Sequence, residues 1–332
     1  MKKIKDIGER ALLNLFEQLV DEGSLPFNDD AVAISLDNDK VLVINIDTFV
    51  ATTDAPKGMS PFQIGAKATT MAISDLAAKG VQPIFTLASG SFPDSCSVED
   101  SFQIVKGISD TTHHYGAKYL GGDTNEADDI IISVVAAGIE FKDKIIERKT
   151  SKENDLICVT GKFGLTGAGF KVNLEGYNAT KEQLTKFNEA IYLPKARLQE
   201  GLFLKQSGKV TACIDSSDGL AWCLKELLRN KNGFGIIIDN LPIDQDVLDF
   251  ATENNLIAED LALYTGEEFE LVFTVSASNL DWLLSETKKL GFTILPIGKI
   301  ITDQQEKIML QKNSEKKEIT ARGWEHFKFS EK

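Results

Sequence analysis

The sequence predicts an α/β fold in two domains, on the basis of three observations. Short apolar runs of the β type alternate with segments of helical periodicity, which is typical of layered strands and helices. The chain has 332 residues, enough for two domains that each bury a core. A polar, irregular stretch at residues 142–154 separates two halves of comparable size. We therefore predict an amino-terminal domain at residues 1–142 and a carboxy-terminal domain at residues 143–332.

Apolar runs mark the predicted strands in order along the chain. They occur at residues 41–46, 130–139, 155–160, 210–214, 235–238, 270–275 and 292–297. Two helices are placed between these runs. Residues 61–79 consist largely of small and apolar side chains, which favours a buried helix. In residues 220–230, Leu220, Cys223 and Leu224 stand at the i, i+3 and i+4 positions of one helix face.

Composition excludes several classes of function. The net charge of −14 disfavours nucleic acid as a partner, because such a surface repels phosphate backbones. The longest apolar runs are too short to span a bilayer, so no membrane association is expected. The amino terminus is charged and helical in pattern, unlike a secretory signal. The four cysteines form no C-x-x-C pair and lie mostly in apolar runs, which predicts reduced, buried thiols in a cytoplasmic protein.

Aspartates recur at the ends of apolar segments and on apolar faces. They are Asp29, Asp30, Asp47, Asp75, Asp123, Asp215 and Asp218. Each one alone is explained by an ordinary role, since aspartate often begins a helix or turn, and Asp75 has Lys79 at i+4 as a partner. Several carboxylates near apolar faces are costly unless they are paired or bind a cation. Oxygen ligands without histidine or cysteine favour Mg²⁺ or Mn²⁺.

The stretch ACIDSSDGLAW, residues 212–222, leaves three roles open for Asp215, the simplest of which is that of a residue that begins a helix. Aspartyl-phosphate phosphohydrolases carry a nucleophile in a D-x-D-G-T motif after an apolar strand, but the D-x-x-D spacing here is one residue longer. The third role is that of a metal ligand. The glycine-rich stretch at residues 159–169 lacks the G-x-x-x-x-G-K-[ST] pattern of a phosphate-binding loop. Its glycines favour a tight turn from strand to helix, although its amides could also face an anion.

Taken in order, a set of short motifs resembles the thiamine-monophosphate kinase family. The motifs are NDDAV, IDTF, SDLAAKG, LGGDT, VTGKFG, IDSSDGL, GEEFEL and GWEHF, and they run from about residue 26 to residue 327. SDLAAKG, GGDT and SDGL resemble motifs of a wider superfamily. This superfamily includes aminoimidazole ribonucleotide synthetase, selenophosphate synthetase and a hydrogenase-maturation protein. GEEFEL and GWEHF narrow the resemblance to the kinase.

The resemblance implies a fold, an assembly and a set of site residues. The amino-terminal domain would form a β-barrel across the interface of a homodimer, and the carboxy-terminal α/β domain would cover the ATP cleft. The apolar strands in the amino-terminal half also favour a covered face. The implied Mg²⁺ ligands are Asp29, Asp30, Asp47, Asp75, Asp123, Asp215 and Asp218. The implied ATP contacts are Gly122, Asp123, Arg148 and Ser217, and the implied contacts with thiamine monophosphate are Asp54, Glu267 and Trp324.

The resemblance also implies a reaction, the ATP-dependent phosphorylation of thiamine monophosphate to thiamine diphosphate. The acceptor phosphate is already ionised at neutral pH, so no acid or base residue is expected. Direct in-line transfer is then catalysed by positioning and by neutralisation of charge with Mg²⁺. Four positions depart from the family pattern: Asn28, Ile46, Asp54 and Thr265. The alternatives are another enzyme of the superfamily with a different acceptor, and a metal- or nucleotide-binding module without catalysis.

Overall fold

The computed structural model describes residues 2–229, 231–313 and 315–327. Within these residues, helices and strands alternate and build two β-sheets, which confirms the predicted α/β class. The helices are α1 (Glu9–Phe16), α2 (Ala51–Asp54), α3 (Pro61–Ala78), α4 (Val98–His114), α5 (Leu165–Glu175), α6 (Lys181–Tyr192), α7 (Leu198–Ser207), α8 (Leu220–Leu227), α9 (Gln245–Glu253), α10 (Ala258–Tyr264) and α11 (Ala277–Leu290). None of these described helices combines the length and the apolar character needed to cross a bilayer.

The first sheet lies in the amino-terminal half and has the strand order β1-β2-β5-β3-β4. Its strands are β1 (Val32–Ser35), β2 (Lys40–Val50), β3 (Pro83–Phe92), β4 (Lys118–Glu126) and β5 (Ile131–Phe141). All neighbours are antiparallel except β3 and β4. Side chains alternate along β2, so that Val41, Val43 and Phe49 are buried, while Ile46 is 65% exposed on the opposite face. The sheet therefore has one face in the core and one apolar face open.

The second sheet lies in the carboxy-terminal half, in the order β12-β11-β8-β10-β6-β9-β7. Its strands are β6 (Leu156–Val159), β7 (Val210–Asp215), β8 (Phe234–Ile238), β9 (Leu271–Val275), β10 (Leu295–Thr302), β11 (Ile308–Lys312) and β12 (Glu315–Glu318). Only β8 and β11 are parallel neighbours. The edge strand β7 ends at Asp215, so the sheet delivers this carboxylate to its margin.

Helix α3 packs between the first sheet and the elements α7 and β7 of the carboxy-terminal half. It begins with a capping box, in which Ser60 and Gln63 satisfy each other's backbone N–H groups, and Pro61 occupies the first turn. A Cβ at Gly65 would lie 1.9 Å from the carbonyl oxygen of Ile104, so α3 and α4 cross where glycine permits close approach. Most of α3 is buried, as its small and apolar composition predicts.

The predicted strand runs are confirmed, with one shift, and so is the helix predicted at residues 61–79. The helix predicted within residues 220–230 is confirmed as α8 up to Leu227, and residue 230 lies outside the described residues. The run at 292–297 becomes a strand only from Leu295, because the chain first completes the end of α11, where Phe292 N–H donates to Thr287 O at 2.9 Å. The predicted burial of thiols is confirmed for Cys158, Cys213 and Cys223, and Cys96 is partly buried; all four are free. The division at residues 142 and 143 stays a prediction. Neither sheet of the described residues closes into a barrel.

Candidate active site

One cavity gathers most of the residues that the family resemblance implies. Its volume is about 400 Å³, and α1, β2, α3 and the segments before β1 and after β7 contribute to its lining. The implied site residues in this lining are Asp29, Asp30, Asp47, Asp54, Asp75, Arg148, Asp215, Ser217, Asp218, Glu267 and Trp324. Within the described part of the chain, Gly122 and Asp123 are the two that lie elsewhere. Residues far apart in the sequence thus meet in one place.

Three carboxylates converge in the cavity. Asp30 precedes β1, Asp75 lies in the last turn of α3, and Asp215 ends β7. One oxygen of each lies within 4.8 Å of the others, a separation at which the three can share a metal ion. Like charges at this distance repel each other, and a bound divalent cation would offset that repulsion. The arrangement therefore offers a set of oxygen ligands to a cation.

Burial disfavours the charged forms of three carboxylates in the cavity, those of Asp47, Asp75 and Asp215. Burial raises the pKa of Asp215 to about 7, and the negative charge of Asp30 adds to the effect. Burial also raises the pKa of Asp75, which faces Asp215. The pKa of Asp47 rises to about 7, chiefly through burial. Ser74 Oγ donates to Asp215 Oδ2 at 2.7 Å and fixes its orientation. Several carboxylates with raised pKa values in one cavity are typical of a functional site.

Two cations lie beside the carboxylates: Lys79, whose side chain is fully buried, and Arg148, whose side chain is 15% exposed. Lys79 Nζ lies 2.5 Å from Asp29 Oδ1 and 2.9 Å from Asp30 Oδ2. Arg148 pairs with Asp30, and its Nη1 lies 3.3 Å from Glu226 Oε2. Burial opposes the ionisation of Asp29, but Lys79 and Arg148 outweigh it and hold the pKa of Asp29 below its ordinary value. Both oxygens of Asp29 accept hydrogen bonds from the protein. Its implied role as a metal ligand stays a prediction.

Asn45 and Lys79 are two site residues that sequence reasoning missed. Asn45 Nδ2 donates to Asp75 Oδ2 at 2.6 Å, and Asn45 Oδ1 is buried with no hydrogen-bond partner among the described residues. An unpaired buried acceptor is costly unless a ligand meets it. The signal was available, because Asn45 and Asp47 alternate onto the same face of β2. Lys79 pairs with Asp29 and Asp30 and not with Asp75, its expected i+4 partner.

Another part of the cavity wall is built from the segments around Glu267 and Trp324, the residues that the resemblance implies to contact the acceptor. Glu267 has a left-handed backbone conformation, with φ of 66°, and its N–H donates to Ser217 O at 2.8 Å. Trp324 N–H donates to Asp218 O at 3.0 Å, while Trp324 as a whole is 52% exposed. Both residues are therefore tied to the loop that follows β7. An aromatic surface left open in a cavity is available for contact with a ligand.

Helix α1 contributes Arg10, which the sequence did not single out. Its guanidinium lies 3.2 Å from the ring centroid of Trp222, and its Nη2 donates to Trp324 O at 2.9 Å. Arg10 Nη2 also lies 3.8 Å from Asp218 Oδ2. These contacts join the amino terminus to the loop after β7 and to the carboxy-terminal segment. Helix α1 thereby forms part of the cavity wall.

Gly122 and Asp123 lie on the edge strand β4. A Cβ at Gly122 would stand 1.6 Å from Ala88 O, so the close pairing of β3 and β4 requires glycine there. Asp123 is exposed and accepts a hydrogen bond from Asn125 Nδ2 at 3.1 Å. The ATP contacts implied for both residues, and the metal contact implied for Asp123, stay predictions.

The glycine-rich turn before α5 faces an anion that belongs to the protein. Gly164 N–H donates to Glu268 Oε1 at 2.6 Å, and Thr166 N–H donates to the same oxygen at 3.3 Å. A carboxylate at a helix amino terminus is favoured by the free N–H groups and by the helix dipole. Burial raises the pKa of Glu268 to about 7 in spite of these bonds. The amides of Gly164 and Thr166 are thus already occupied.

Comparison with known proteins identifies the family. Residues 28–139 match the AIR synthase related protein, N-terminal domain, and residues 152–311 match the AIR synthase related protein, C-terminal domain. A thiamine-monophosphate kinase of Nitrosopumilus maritimus is 33% identical over 288 residues, which cover 86% of this chain and 89% of that protein. A Thermus thermophilus protein of known crystal structure is 32% identical, with a TM-score of 0.83 over 93% of this chain and 98% of its own.

A solved structure of AaThiL complexed with AMPPCP and TMP shares the fold. Its TM-score is 0.84 at 22% identity, and the match covers 98% of this chain and 99% of that chain. The family match spans most of the chain, and the curated relative lies above 30% identity over most of both lengths. The chain therefore belongs to the thiamine-monophosphate kinase family of enzymes, within the AIR synthase related proteins.

Proposed function

We propose that this protein is a thiamine-monophosphate kinase, which transfers the terminal phosphate of ATP to thiamine monophosphate and forms thiamine diphosphate and ADP. The observation that carries the proposal is the cavity in which Asp30, Asp75 and Asp215 converge beside Arg148 and Trp324. The carboxylates suit metal-bound phosphates, and an open aromatic ring suits a cationic thiazolium. The curated relatives carry this name, and AaThiL has been solved with AMPPCP and TMP.

The residues present fit Mg²⁺. Asp30, Asp75 and Asp215 offer oxygens within one coordination site, and the buried, unpaired Oδ1 of Asn45 is an oxygen next to Asp75. A site of oxygen donors without histidine or cysteine favours this ion or Mn²⁺. When bound, Mg²⁺ supplies the positive charge that lets the phosphates of ATP and of the acceptor approach each other. Asp47 and Asp218 line the same cavity and extend the acidic surface.

In this proposal the protein positions the reactants and takes no proton from them. The acceptor oxygen belongs to an ionised phosphate, so the nucleophile needs no general base. Arg148 is held by Asp30, Glu226 and the carbonyl of Asn28, with Nη1 2.7 Å from Asn28 O, which fixes its positive charge beside the cavity. Transfer is direct and in line, and Asp215 holds a cation and is not phosphorylated.

The test is a turnover assay of the wild-type protein with ATP, Mg²⁺ and a panel of phosphorylated acceptors. We expect ADP release and thiamine diphosphate with thiamine monophosphate, and no stable label on the protein from γ-labelled ATP. Turnover of another acceptor instead would move the assignment to a sister enzyme of the superfamily. Stoichiometric label that disappears in Asp215→Asn would favour the aspartyl-phosphate mechanism. Binding of ATP without turnover of any acceptor would favour the non-catalytic module.

We also propose that the protein is a homodimer whose second copy covers the open face of the first sheet. Ile46, Val135 and Leu87 form an apolar row across three paired strands on that face. Ile46 is 65% exposed and Leu87 is 38% exposed, and contiguous apolar surface of this kind marks an interface. A two-fold dimer that closes the two sheets into one barrel would bury the row.

Light scattering at micromolar concentration is expected to give the mass of a dimer for the wild type and of a monomer for Leu87→Lys. A charge at this position would be buried without a partner in the dimer. Val98→Lys is the control, because Val98 is 86% exposed on α4, outside the sheet face. A wild-type monomer, or a Leu87→Lys dimer as stable as the control, would contradict the assembly.

Trp324→Ala is expected to raise the KM for thiamine monophosphate at least about tenfold and to leave the KM for ATP nearly unchanged. The exposed indole would lose its contact with the acceptor ring, while the metal-binding carboxylates stay in place. Steady-state kinetics with each substrate varied in turn measures both constants. Trp282→Ala is the control, since Trp282 is 43% exposed and stacks on Phe203 outside the cavity. Equal changes in both KM values would show that Trp324 supports the fold.

A further inference from the structure

Lys67 is a lysine in the middle of α3 whose side chain is fully buried. Its Nζ lies 2.7 Å from Glu267 Oε2 and donates to the backbone carbonyl of Asp54 at 3.0 Å. Glu267 and Asp54 are two of the three residues implied to contact the acceptor. They are 213 positions apart in the sequence (267 minus 54) and meet at one ammonium group. Lys67 therefore joins the two segments, around Asp54 and around Glu267, that are expected to contact the acceptor.

The surroundings of Lys67 hold its charge in place. The aromatic rings of Phe49 and Phe170 lie with their centroids 5.9 Å and 6.0 Å from Nζ. A buried ammonium is costly unless it is paired and hydrogen-bonded, and Glu267 is the carboxylate that pairs with it. The Asp54 carboxylate is engaged elsewhere, because its Oδ2 accepts from Val50 N–H at 2.7 Å. The ammonium is thus directed at Glu267 and at the backbone of α2.

We propose that Lys67 is the positioning residue for the acceptor, which acts by fixing the orientation and the net charge of Glu267. The inference rests on the proposed function and deepens it. Lys67 engages Oε2 of Glu267, which leaves Oε1 to accept a hydrogen bond from an N–H donor such as the amino group of an aminopyrimidine. The pair carries no net charge, so Glu267 adds little repulsion against the acceptor phosphate in a cavity already rich in carboxylates. A neutral ring with an N–H donor is the chemistry that this pair selects.

The test is the replacement Lys67→Met, which keeps an unbranched side chain one atom shorter and removes the charge. We expect the KM for thiamine monophosphate to rise at least about tenfold and the KM for ATP to stay within about twofold of the wild type. Lys106→Met is the matched control, because Lys106 also pairs with a carboxylate, that of Asp110, and lies 5.4 Å from an aromatic ring, but on the exposed side of α4. An unchanged KM for thiamine monophosphate, or equal changes for both substrates, would overturn the proposal.

A second variant, Lys67→Met with Glu267→Gln, keeps the proposal testable if the single variant does not fold. Removal of both charges avoids an unpaired carboxylate in the buried position. If Lys67 acts through Glu267, the double variant has the same KM for thiamine monophosphate as Glu267→Gln alone, to within about twofold. A further tenfold rise in the double variant would show that Lys67 acts elsewhere. Wild-type turnover of thiamine monophosphate tests the proposed function separately, so either idea can fail without the other.

Discussion

Replacement of Asp75 by asparagine is expected to lower kcat/KM at least about a hundredfold when Mg²⁺ is limiting. Asparagine keeps the shape of the side chain and an oxygen for the hydrogen bond from Asn45, but it removes one of three converging negative charges. The site would bind the cation more weakly, and the repulsion between the two phosphorylated substrates would remain. Steady-state kinetics over a titration of Mg²⁺ measures the loss and its partial recovery at high metal concentration.

The control for this prediction is Asp110→Asn, because the Asp110 side chain is 47% exposed and pairs with Lys106 on α4, outside the cavity. Its activity should equal that of the wild type. Asp218→Asn is expected to behave like Asp75→Asn, since Asp218 lines the same cavity. Asp123→Asn tests whether β4 takes part in metal binding. Asp123 is exposed on β4, so this variant should lose activity only if β4 moves to the cavity when the substrates bind. Wild-type rates in the Asp75 and Asp218 variants at limiting Mg²⁺ would contradict a shared metal site.

Arg148→Met is expected to reduce kcat at least about a hundredfold and to lower the free energy of unfolding by about 3 kcal/mol. The change removes the positive charge beside the cavity and leaves Glu226 with one partner fewer, while Asp30 keeps only Lys79. Because Lys79 stays next to Asp30, we place the stability loss at the lower end of the range for broken buried pairs. Urea unfolding and steady-state kinetics measure the two effects independently.

Arg148→Lys separates charge from geometry. Lysine keeps the positive charge but cannot reproduce the fork that reaches Asp30, Glu226 and the carbonyl of Asn28 together. We expect this variant to recover most of the stability and little of the activity. An Arg148→Lys variant with full activity would show that Arg148 acts only through its charge. An Arg148→Met variant as stable as the wild type would show that the ion pairs of Arg148 do not stabilise the fold.

The acidic part of the site was predictable from the sequence because its aspartates stand at the ends of regular elements. Asp215 ends an apolar run that the structure confirms as β7, Asp75 lies in the last turn of the predicted helix α3, and Asp30 precedes the first strand pair. The family resemblance implied a common role for the three as metal ligands. Their supporting residues were not predictable in the same way. Lys67 lies in a helix whose pattern indicates burial, and its partner Glu267 is 200 residues away. Only tertiary contact shows that the two charges compensate each other.

The strand β3 and the glycine-containing part of β4 were missed for a local reason. β3 contains Ser-Gly-Ser and β4 contains Gly-Gly-Asp-Thr, residues that are depleted in isolated strands and typical of turns. Their pairing partners outweigh this local preference, because β3 lies between β5 and β4 in the sheet. The glycine at position 122 is required by that pairing and would have been read as a loop on propensity alone.

Helix α3 also fixes the distance between two parts of the candidate site. Lys67 and Asp75 are eight residues apart on one uninterrupted helix, which places them about 12 Å apart along its axis. Lys67 contacts residues that are expected to hold the acceptor ring, and Asp75 lies among the carboxylates that are expected to hold the metal-bound phosphates. A phosphate monoester with a much shorter or longer arm between its ring and its phosphorus atom could not contact both groups of residues at once. Insertion of one residue between positions 67 and 75 would rotate Lys67 by about 100° around the helix axis relative to Asp75. Ring recognition would then be uncoupled from phosphoryl transfer.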